Sequence, residues 1–254
     1  YYPSEDSVVL NQLRTQNVKT LNNSLIAGLN HELSPAFSIR VTNRLQLVKE
    51  KDALSLYGKN DQTSAYDRFD NSGYNALERH HNENSHVWGI LYKRKDLRVS
   101  SSLNLLSVQL RSNLITTGGK PVQKETRLLP GVSMEYKNLS VTYSQSIVVP
   151  SLGYLSPVPN RSNPYYIVYG NPDLKLGEQR RLDASFSHYN TQKRMNLNLS
   201  LDGSMIEHDV ILKKTIDVSG VESVMPVNWD GTKVLRSNVS ISKEVVKSQD
   251  FQLS

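Results

Sequence analysis

The sequence predicts an all-β fold, namely an antiparallel up-and-down transmembrane β-barrel, of which about ten strands lie in this chain. Within each predicted strand, apolar and polar residues alternate with a period of two. The connections between successive strands are short and long in turn. Only 37% of the residues are apolar and the mean hydropathy is −0.47, which suits strands with one wet face. No apolar run approaches the roughly 18 residues that a spanning helix needs, which excludes a helical membrane protein.

The first hairpin is predicted between residues 21 and 47, where apolar residues recur at every second position. This period places apolar side chains on one face of a strand and polar side chains on the other. The short segment 34–36 separates the two strands and predicts a tight turn. The second strand begins with the following alternation: Phe37, Ser38, Ile39, Arg40, Val41 and Thr42.

Later segments repeat this pattern and predict further hairpins, the last of which ends in a strand that begins near Phe251. In the second hairpin the alternation of Leu103 and Leu105 slips by one residue at Leu106, and a β-bulge is the simplest explanation. Short turns are predicted at 93–96, 137–138, 190–194 and 243–249.

The connections between hairpins are long, unlike the turns within them. Transmembrane barrels show this asymmetry, with short periplasmic turns on one rim and long external loops on the other. A soluble sandwich has no physical reason to collect its long loops at one end, and its strands are shorter. Long external loops are predicted at 48–85, 111–124, 150–180 and 203–233.

Charged residues at alternating positions are tolerated on the inner wall of a barrel but are costly against lipid. Because lipid offers backbone groups no hydrogen-bond partners, a spanning sheet must close on itself, and these strands need not be the whole ring. We expect a single partial barrel domain over residues 1–254, with any plug domain outside it. We also expect the following charged residues to point inward: Arg40, Arg44, Asp183 and Asp202.

Composition argues against several other classes of protein. The chain has no cysteine, so it has neither a disulfide framework nor a thiolate site. The formal charge of +6 is spread along the chain without a basic block, so no nucleic-acid partner is expected. His80, His81 and His86 lie close in sequence, but no carboxylate pattern completes a metal site. We expect no enzymatic activity, no catalytic residue and no cofactor.

Four segments are distinctive: 128–136, 144–146, 150–157 and the sequence Gly-Asn-Pro-Asp-Leu-Lys at 170–175, with Glu178 just beyond. Together they resemble the barrel of TonB-dependent outer-membrane receptors, in particular the barrel type common in Bacteroidetes. In that family a similar Gly-Asn-Pro element leads the chain into the next barrel strand. This chain has Leu176 and Gly177 where the family usually has Pro.

The resemblance implies a location in the Gram-negative outer membrane and energised uptake of a nutrient such as a glycan, a peptide or an iron chelate. It also implies a TonB-type energising complex that acts through a plug, with a surface lipoprotein as a further candidate partner. Outer-membrane lipid would surround the barrel.

Aromatic and basic residues in the external loops are candidate ligand contacts. Aromatic rings near strand ends have a second interpretation, because they also form the girdle at the membrane interface. The candidate ligand-binding residues are Tyr154, Arg161, Tyr165, Tyr166, Tyr169 and Trp229.

Two alternatives to a transporter remain open from the sequence. A barrel that serves as a membrane scaffold without transport would share all these strand features. A secreted or periplasmic all-β binding module would instead pack its alternating Leu and Val faces against each other, and it would be soluble without detergent.

Overall fold

A computed structural model of the protein describes residues 12–156, 158–163 and 165–243. The described residues form β-strands and one short 3₁₀ helix, η1. The strands are β1 (Gln12–Ser34), β2 (Phe37–Gly58), β3 (Arg68–Arg94), β4 (Leu97–Leu114), β5 (Val122–Tyr136), β6 (Leu139–Val148), β7 (Asn160–Asn163), β8 (Tyr166–Val168), β9 (Gly177–Asn190), β10 (Met195–Glu207), β11 (Asp209–Ile216), β12 (Glu222–Trp229) and β13 (Thr232–Lys243). The helix η1 spans Leu152–Leu155 between β6 and β7.

The main sheet has nine described strands in the order β1-β2-β3-β4-β5-β6-β9-β10-β13. Every neighbouring pair in it is antiparallel, which confirms the predicted antiparallel up-and-down arrangement. The predicted strand that begins near Phe251 lies outside the described residues. Within the described part of the chain, no helix is both long and apolar enough to cross a bilayer.

The short turns lie where the sequence predicts them, at 35–36, 95–96, 137–138 and 191–194. Lys95 and Lys137 adopt left-handed backbone conformations, each with φ of 50°. Two-residue hairpin turns favour this conformation because it matches the twist of the flanking strands. The predicted turn at 243–249 begins at the last described residue, and its other residues lie outside the described ranges.

Strand register aligns the apolar residues of neighbouring strands on one face of the sheet, which we call the outward face. One row across it joins Val41 to Trp88, Trp88 to Leu103 and Leu103 to Pro130. Trp88 has 45% of its surface exposed in this row. A continuous exposed apolar face of this kind is what a barrel presents to lipid hydrocarbon.

The opposite, inward face carries the charged residues that the sequence places inside the barrel. Asp183 and Asp202 are directly paired across β9 and β10. Arg181 and Arg236 reach Asp202 with nitrogen–oxygen distances of 2.6 and 3.3 Å. Opposite charges therefore meet on this face, where water can reach them and lipid cannot.

The first three strands are much longer than predicted, with 23, 22 and 27 residues. At a rise of about 3.3 Å per residue such strands exceed the apolar band of about 25 Å more than twofold. Their ends therefore project beyond the membrane as paired hairpins. The predicted loops 48–85 and 111–124 are wrong in extent, because only 59–67 and 115–121 connect the strands. Backbone pairing continues there with mostly polar side chains on the outward face.

The predicted loops 150–180 and 203–233 agree better with the connections between β6 and β9 and between β10 and β13. They are not structureless, since together they contain a four-stranded sheet in the order β11-β12-β8-β7, which we call the small sheet. In it β12 pairs with β8 in parallel, with Glu222 opposite Tyr166. Lys214 lies 2.7 Å from Glu222 in the same sheet, measured between Nζ and Oε1.

The predicted bulge near Leu106 is wrong, because β4 pairs without a register shift with both β3 and β5. The apolar residues there change from the outward face to the inward face instead. Leu106, Val108 and Leu110 are all buried. They are apolar because the inward face at this height is covered by protein and not by water.

The cover is the connection 149–176 between β6 and β9, which we call the inner connection. It packs on the inward face through two clusters of buried leucine and valine side chains. The first cluster contains Leu77, Leu114, Leu152, Leu155 and Leu174. The second contains Leu106, Val108, Leu110, Leu129 and Leu176.

Leu174→Ala should loosen the inner connection, because the Leu174 side chain is 0% exposed within the first cluster. Removing a buried leucine side chain leaves a cavity and typically lowers the unfolding free energy by about 2–5 kcal/mol. Urea unfolding of the full-length protein in detergent measures the change. Val218→Ala is the control, since Val218 is fully exposed and its loss should change the free energy by less than about 0.5 kcal/mol. Equal effects of the two changes would contradict the packing described.

Candidate functional site

A cleft of about 220 Å³ opens between the inner connection and strands β1–β3, and we call it the inner cleft. Arg14, Gln16 and Asp52 contribute polar side chains from β1 and β2. Tyr154 and Tyr169 contribute aromatic rings from the inner connection. Polar groups and aromatic rings around one concave surface are typical of small-molecule recognition.

Strand register brings the polar wall of the inner cleft together. Asp52 on β2 is paired with Val18 on β1. Gln16 lies two residues before Val18, so the side chains of Gln16 and Asp52 are on the same face of the sheet. The Gln16 side-chain amide donates to both carboxylate oxygens of Asp52, at 2.9 and 3.1 Å. Asp52 is therefore oriented toward the cleft by its neighbour.

Asn75 lies at the floor of the inner cleft and is only 7% exposed. Its side-chain nitrogen donates to Ser156 Oγ at 2.5 Å. Its Oδ1 atom has no hydrogen-bond partner among the residues that the structure describes. A buried acceptor without a donor is unfavourable by roughly 1–3 kcal/mol. The same atom is fully covered by protein, so a ligand in the cleft does not contact it.

Arg79 fixes the inner connection above the sheet. Its Nε atom lies 2.6 Å from Glu50 Oε2, and its Nη1 atom donates to the Pro150 carbonyl at 2.6 Å. Farther along the connection, the Gln123 side-chain amide donates to the Leu174 carbonyl at 2.6 Å. The connection is therefore held to the inward face at both ends by charged or amide donors.

The sequence Gly-Asn-Pro-Asp-Leu-Lys has a clear structural role. Its Asn171 side chain donates to the Pro226 carbonyl at 3.1 Å and accepts from the Asp173 backbone N–H at 3.0 Å. The Asn171 backbone N–H donates to the Tyr154 carbonyl at 2.7 Å. One asparagine thus joins the small sheet, a local turn and η1, and the following Leu174 enters the core.

The structure separates the predicted ligand-binding residues. Tyr154 and Tyr169 line the inner cleft. Tyr165, Tyr166 and Trp229 lie in or beside the small sheet, outside the cleft lining. The remaining candidate, Arg161, lies on β7, but its side chain falls outside the part of the structure described. Ligand contact by these residues stays a prediction.

The girdle interpretation fits other tyrosines better. Tyr92 and Tyr136 lie on the outward face next to the short turns, where they pair with Val99 and Leu139. Rings at this height meet the periplasmic edge of the apolar band.

The three histidines do not converge on one site. His80 lies near Glu78 and His81 near Glu83, on opposite faces of β3. His86 contacts the side chain of Asn43. In the part of the chain that the structure describes, no three or more His, Asp or Glu side chains lie close enough together to hold a metal ion.

The sequence reasoning missed the polar wall of the cleft and its anchor. Arg79, Asn75 and Asp52 fall within the segment 48–85, which was predicted to be a loop. A usable signal was present, because Lys49, Glu50, Lys51 and Asp52 alternate in charge. Such an alternation has the two-residue period of a strand, because it places positive side chains on one face and negative side chains on the other.

A family model described as the outer membrane protein beta-barrel family matches residues 55–254. This match covers most of the chain, and the chain therefore belongs to the outer membrane protein beta-barrel family. The family membership, with the apolar outward face, places it in the Gram-negative outer membrane. The alternative of a soluble all-β binding module is therefore set aside.

Solved structures show the same fold. The chain resembles the receptor in the FpvAI–pyocin S2 complex with a TM-score of 0.54 and 12% identity, covering 93% of this chain and 32% of that one. It resembles P. aeruginosa FpvA bound to heterologous pyoverdines with a TM-score of 0.51 and 12% identity, covering 92% and 31%. The resemblance to a receptor barrel is confirmed at the level of fold. The chain spans about a third of the length of these structures. Among curated proteins, no significant match was found.

Proposed function

We propose that the chain forms part of the wall of a TonB-dependent outer-membrane transporter and that the inner cleft contacts the nutrient during uptake. The observation that carries this proposal is the inner cleft itself, which lies on the inward face beyond the apolar band. There the polar side chains of Arg14, Gln16 and Asp52 lie around the same cleft as the rings of Tyr154 and Tyr169. No catalytic residue and no enzymatic activity are proposed.

The ligand chemistry follows from the groups in the cleft. Asp52 accepts hydrogen bonds, Arg14 carries a positive charge, and the tyrosine rings offer stacking surfaces. Glycans, peptides and iron chelates all present hydroxyl or amide donors beside flatter apolar parts. A cleft of about 220 Å³ holds one portion of such a ligand, so other parts of the barrel would bind the rest.

Two further features support a larger transporter. The described edges of the sheet are β1 and β13, and unpaired strand edges are costly in hydrocarbon, so further strands should complete the ring. In one of the similar structures the FpvA receptor is bound to a pyoverdine–iron complex. We propose that a plug gates this barrel, that a TonB-type complex energises it, and that a surface lipoprotein assists capture.

Replacing Asp52 with Leu and Tyr169 with Ala should weaken uptake without removing the protein from the membrane. Loss of one acceptor and one stacking ring should raise the half-saturating nutrient concentration by about tenfold or more. The nutrient is identified first, as the carbon or iron source on which a strain lacking the gene no longer grows. Growth of cells that carry each variant, at matched surface abundance, measures the effect.

Tyr189→Ala is the matched control, because Tyr189 is exposed, lies beside the short turn at 191–194 and is outside the cleft lining. It should behave as wild type. Unchanged uptake in the Asp52→Leu, Tyr169→Ala variant would refute the role of the cleft. A deletion strain that loses assembly of a partner protein but takes up every nutrient tested would identify a scaffold barrel instead.

A further inference from the structure

Strand β11 forms one edge of the small sheet. Among the described strands it pairs only with β12, and its other side is not paired with a strand. It belongs to the long connection between β10 and β13, which lies on the external side of the barrel. None of its residues lines the inner cleft. The β11 edge is therefore a surface separate from the cleft.

The hydrogen bonds of the small sheet show which way the backbone groups of β12 point. The Glu222 N–H donates to the Tyr165 carbonyl at 2.9 Å, and the Val224 carbonyl accepts from the Tyr169 N–H at 2.8 Å. The even-numbered residues of β12 therefore bond toward β8. Because backbone groups alternate in direction along a strand, its odd-numbered residues bond toward β11.

Strand register carries this alternation from β12 to β11. Thr215 lies opposite Ser223, so the odd-numbered residues of β11 form the hydrogen-bonded pairs with β12. The residue just after the strand agrees, because the Asp217 N–H donates to the Val221 carbonyl at 3.1 Å. The even-numbered residues of β11 consequently direct their N–H and C=O groups away from β12.

Three residues of β11 present these backbone groups at the edge, namely Leu212, Lys214 and Ile216. In the part of the chain that the structure describes, no other backbone segment pairs with them. They lie within 212–216, which corresponds to about 17 Å of extended chain. A second extended backbone offers N–H and C=O groups at the matching spacing, and peptides bind to free sheet edges in this way.

The side chains beside the edge indicate which peptide fits. Val224 and Pro226 of β12 are fully buried, whereas Leu212 and Ile216, on the same face of β11, are 44% and 71% exposed. An added strand would cover these two apolar side chains and extend the buried face. On the opposite face Lys213 is exposed and makes no ion pair with a described carboxylate. Apolar side chains on one face and carboxylates on the other therefore complement β11.

The middle residue of the edge argues against a second copy of this chain as the occupant. Antiparallel pairing of two β11 strands centred on Lys214 would place the two Lys214 side chains directly opposite each other. Like charges in opposed positions destabilise a strand pair. A strand that carries carboxylates gains an ion pair with Lys213 instead.

We propose that β11 binds an extended acidic peptide from the external medium as a further strand of the small sheet. The peptide backbone pairs with Leu212, Lys214 and Ile216. Its apolar side chains cover Leu212 and Ile216, and its carboxylates lie beside Lys213. Main-chain hydrogen bonds supply the affinity and the side chains supply the specificity. This site goes beyond the proposed uptake function and does not depend on what the inner cleft binds.

The test uses the full-length protein in detergent and a fluorescent peptide in which Val and Glu alternate, long enough to cover 212–216. Fluorescence anisotropy should show saturable binding. Two further peptides carry N-methyl groups on either the Val or the Glu residues. Because alternate N–H groups point to opposite sides of a strand, one of these peptides should lose affinity by about tenfold or more, and the other should bind like the parent.

Lys213→Glu tests the side-chain part of the proposal. It should weaken binding of the Val-Glu peptide several-fold and strengthen binding of a matching Val-Lys peptide. Lys193→Glu reverses the same charge in the short turn on the opposite rim and should change neither affinity.

Three results would overturn the proposal: no saturable binding, equal affinity of the two methylated peptides, or an unchanged peptide preference in Lys213→Glu. The methylated peptides are measured on the wild-type protein, so they decide the matter even if Lys213→Glu fails to fold. Leu212→Pro removes one free N–H without breaking a bond to β12. If the protein forms dimers that Leu212→Pro abolishes while the peptide does not bind, the edge joins two copies of the chain and the proposal is wrong.

Discussion

Leu199→Arg should destabilise the membrane-inserted protein by about 2–4 kcal/mol, because a guanidinium on the lipid face must be removed from water near the bilayer centre. Leu199 lies on the outward face, where it pairs with Phe186 and Val239. It is the third outward residue above the short turn at 191–194, so it lies well within the apolar band. The measurement is urea unfolding of the full-length protein in lipid vesicles.

The neighbouring residue provides the matched control. Ser200 points to the inward face, as do Asp183 and Asp202, which form the residue pair two positions farther along β9 and β10. Arginine at Ser200 meets water and carboxylates, and it should change the unfolding free energy by less than about 1 kcal/mol. The same cost at both positions, or a larger cost at Ser200, would mean that the two faces are assigned incorrectly.

Arg79→Leu should release the inner connection from the sheet. The Arg79 side chain is 5% exposed, and it holds both Glu50 and the Pro150 carbonyl. Removing one partner of a buried ion pair typically costs about 3–5 kcal/mol, since the remaining charge is left without compensation. We expect a loss of unfolding free energy of this size, together with faster protease cleavage within 149–176 under native conditions.

Two comparisons separate the anchor from a general effect of charge removal. The Arg79→Leu, Glu50→Leu double variant leaves no uncompensated carboxylate, so it should recover part of the lost free energy. Arg98→Leu breaks an exposed pair with Glu135 and should cost less than about 1 kcal/mol. Equal protease sensitivity in Arg79→Leu, Arg98→Leu and wild type would show that Arg79 does not anchor the connection.

The membrane-spanning part of the fold could be predicted from sequence because lipid imposes a strict rule on it. Every second side chain must be apolar within the band, and each backbone group must be paired within the sheet. Val41, Leu139 and Leu199, for example, are apolar and occupy every-second-residue positions on the outward face. Four tight turns and the inward charges Asp183 and Asp202 were predictable for the same reason.

Above the band the rule no longer applies, and there the sequence was misleading. Strands β2 and β3 continue through 48–85 with polar residues on the outward face, so their pairing leaves no hydrophobic alternation. At Leu106 the apolar residues change face because the inner connection covers the inward side. In the sequence alone, this change of face looks the same as the one-residue slip that a bulge produces.

The inner cleft required tertiary structure. It joins Gln16, Asn75 and Tyr169, which are far apart in sequence and meet only after the inner connection folds over the sheet. The predicted tyrosines Tyr154 and Tyr169 were found because aromatic residues in external loops are candidate ligand contacts. Their polar partners could not be found in this way, because nothing local distinguishes Asn75 from the other asparagines of the chain.

The central claim is that alternate side chains of the nine-stranded sheet face lipid and the barrel interior. The chain has no cysteine, so single cysteines can be introduced at 139–144 and spin-labelled in the membrane-inserted full-length protein, in a background without other cysteines. Collision with oxygen dissolved in lipid should be high at Leu139, Val141 and Tyr143, and collision with a water-soluble nickel chelate should be high at Ser140, Thr142 and Ser144. A reversed alternation, or equal accessibility at all six positions, would contradict the account.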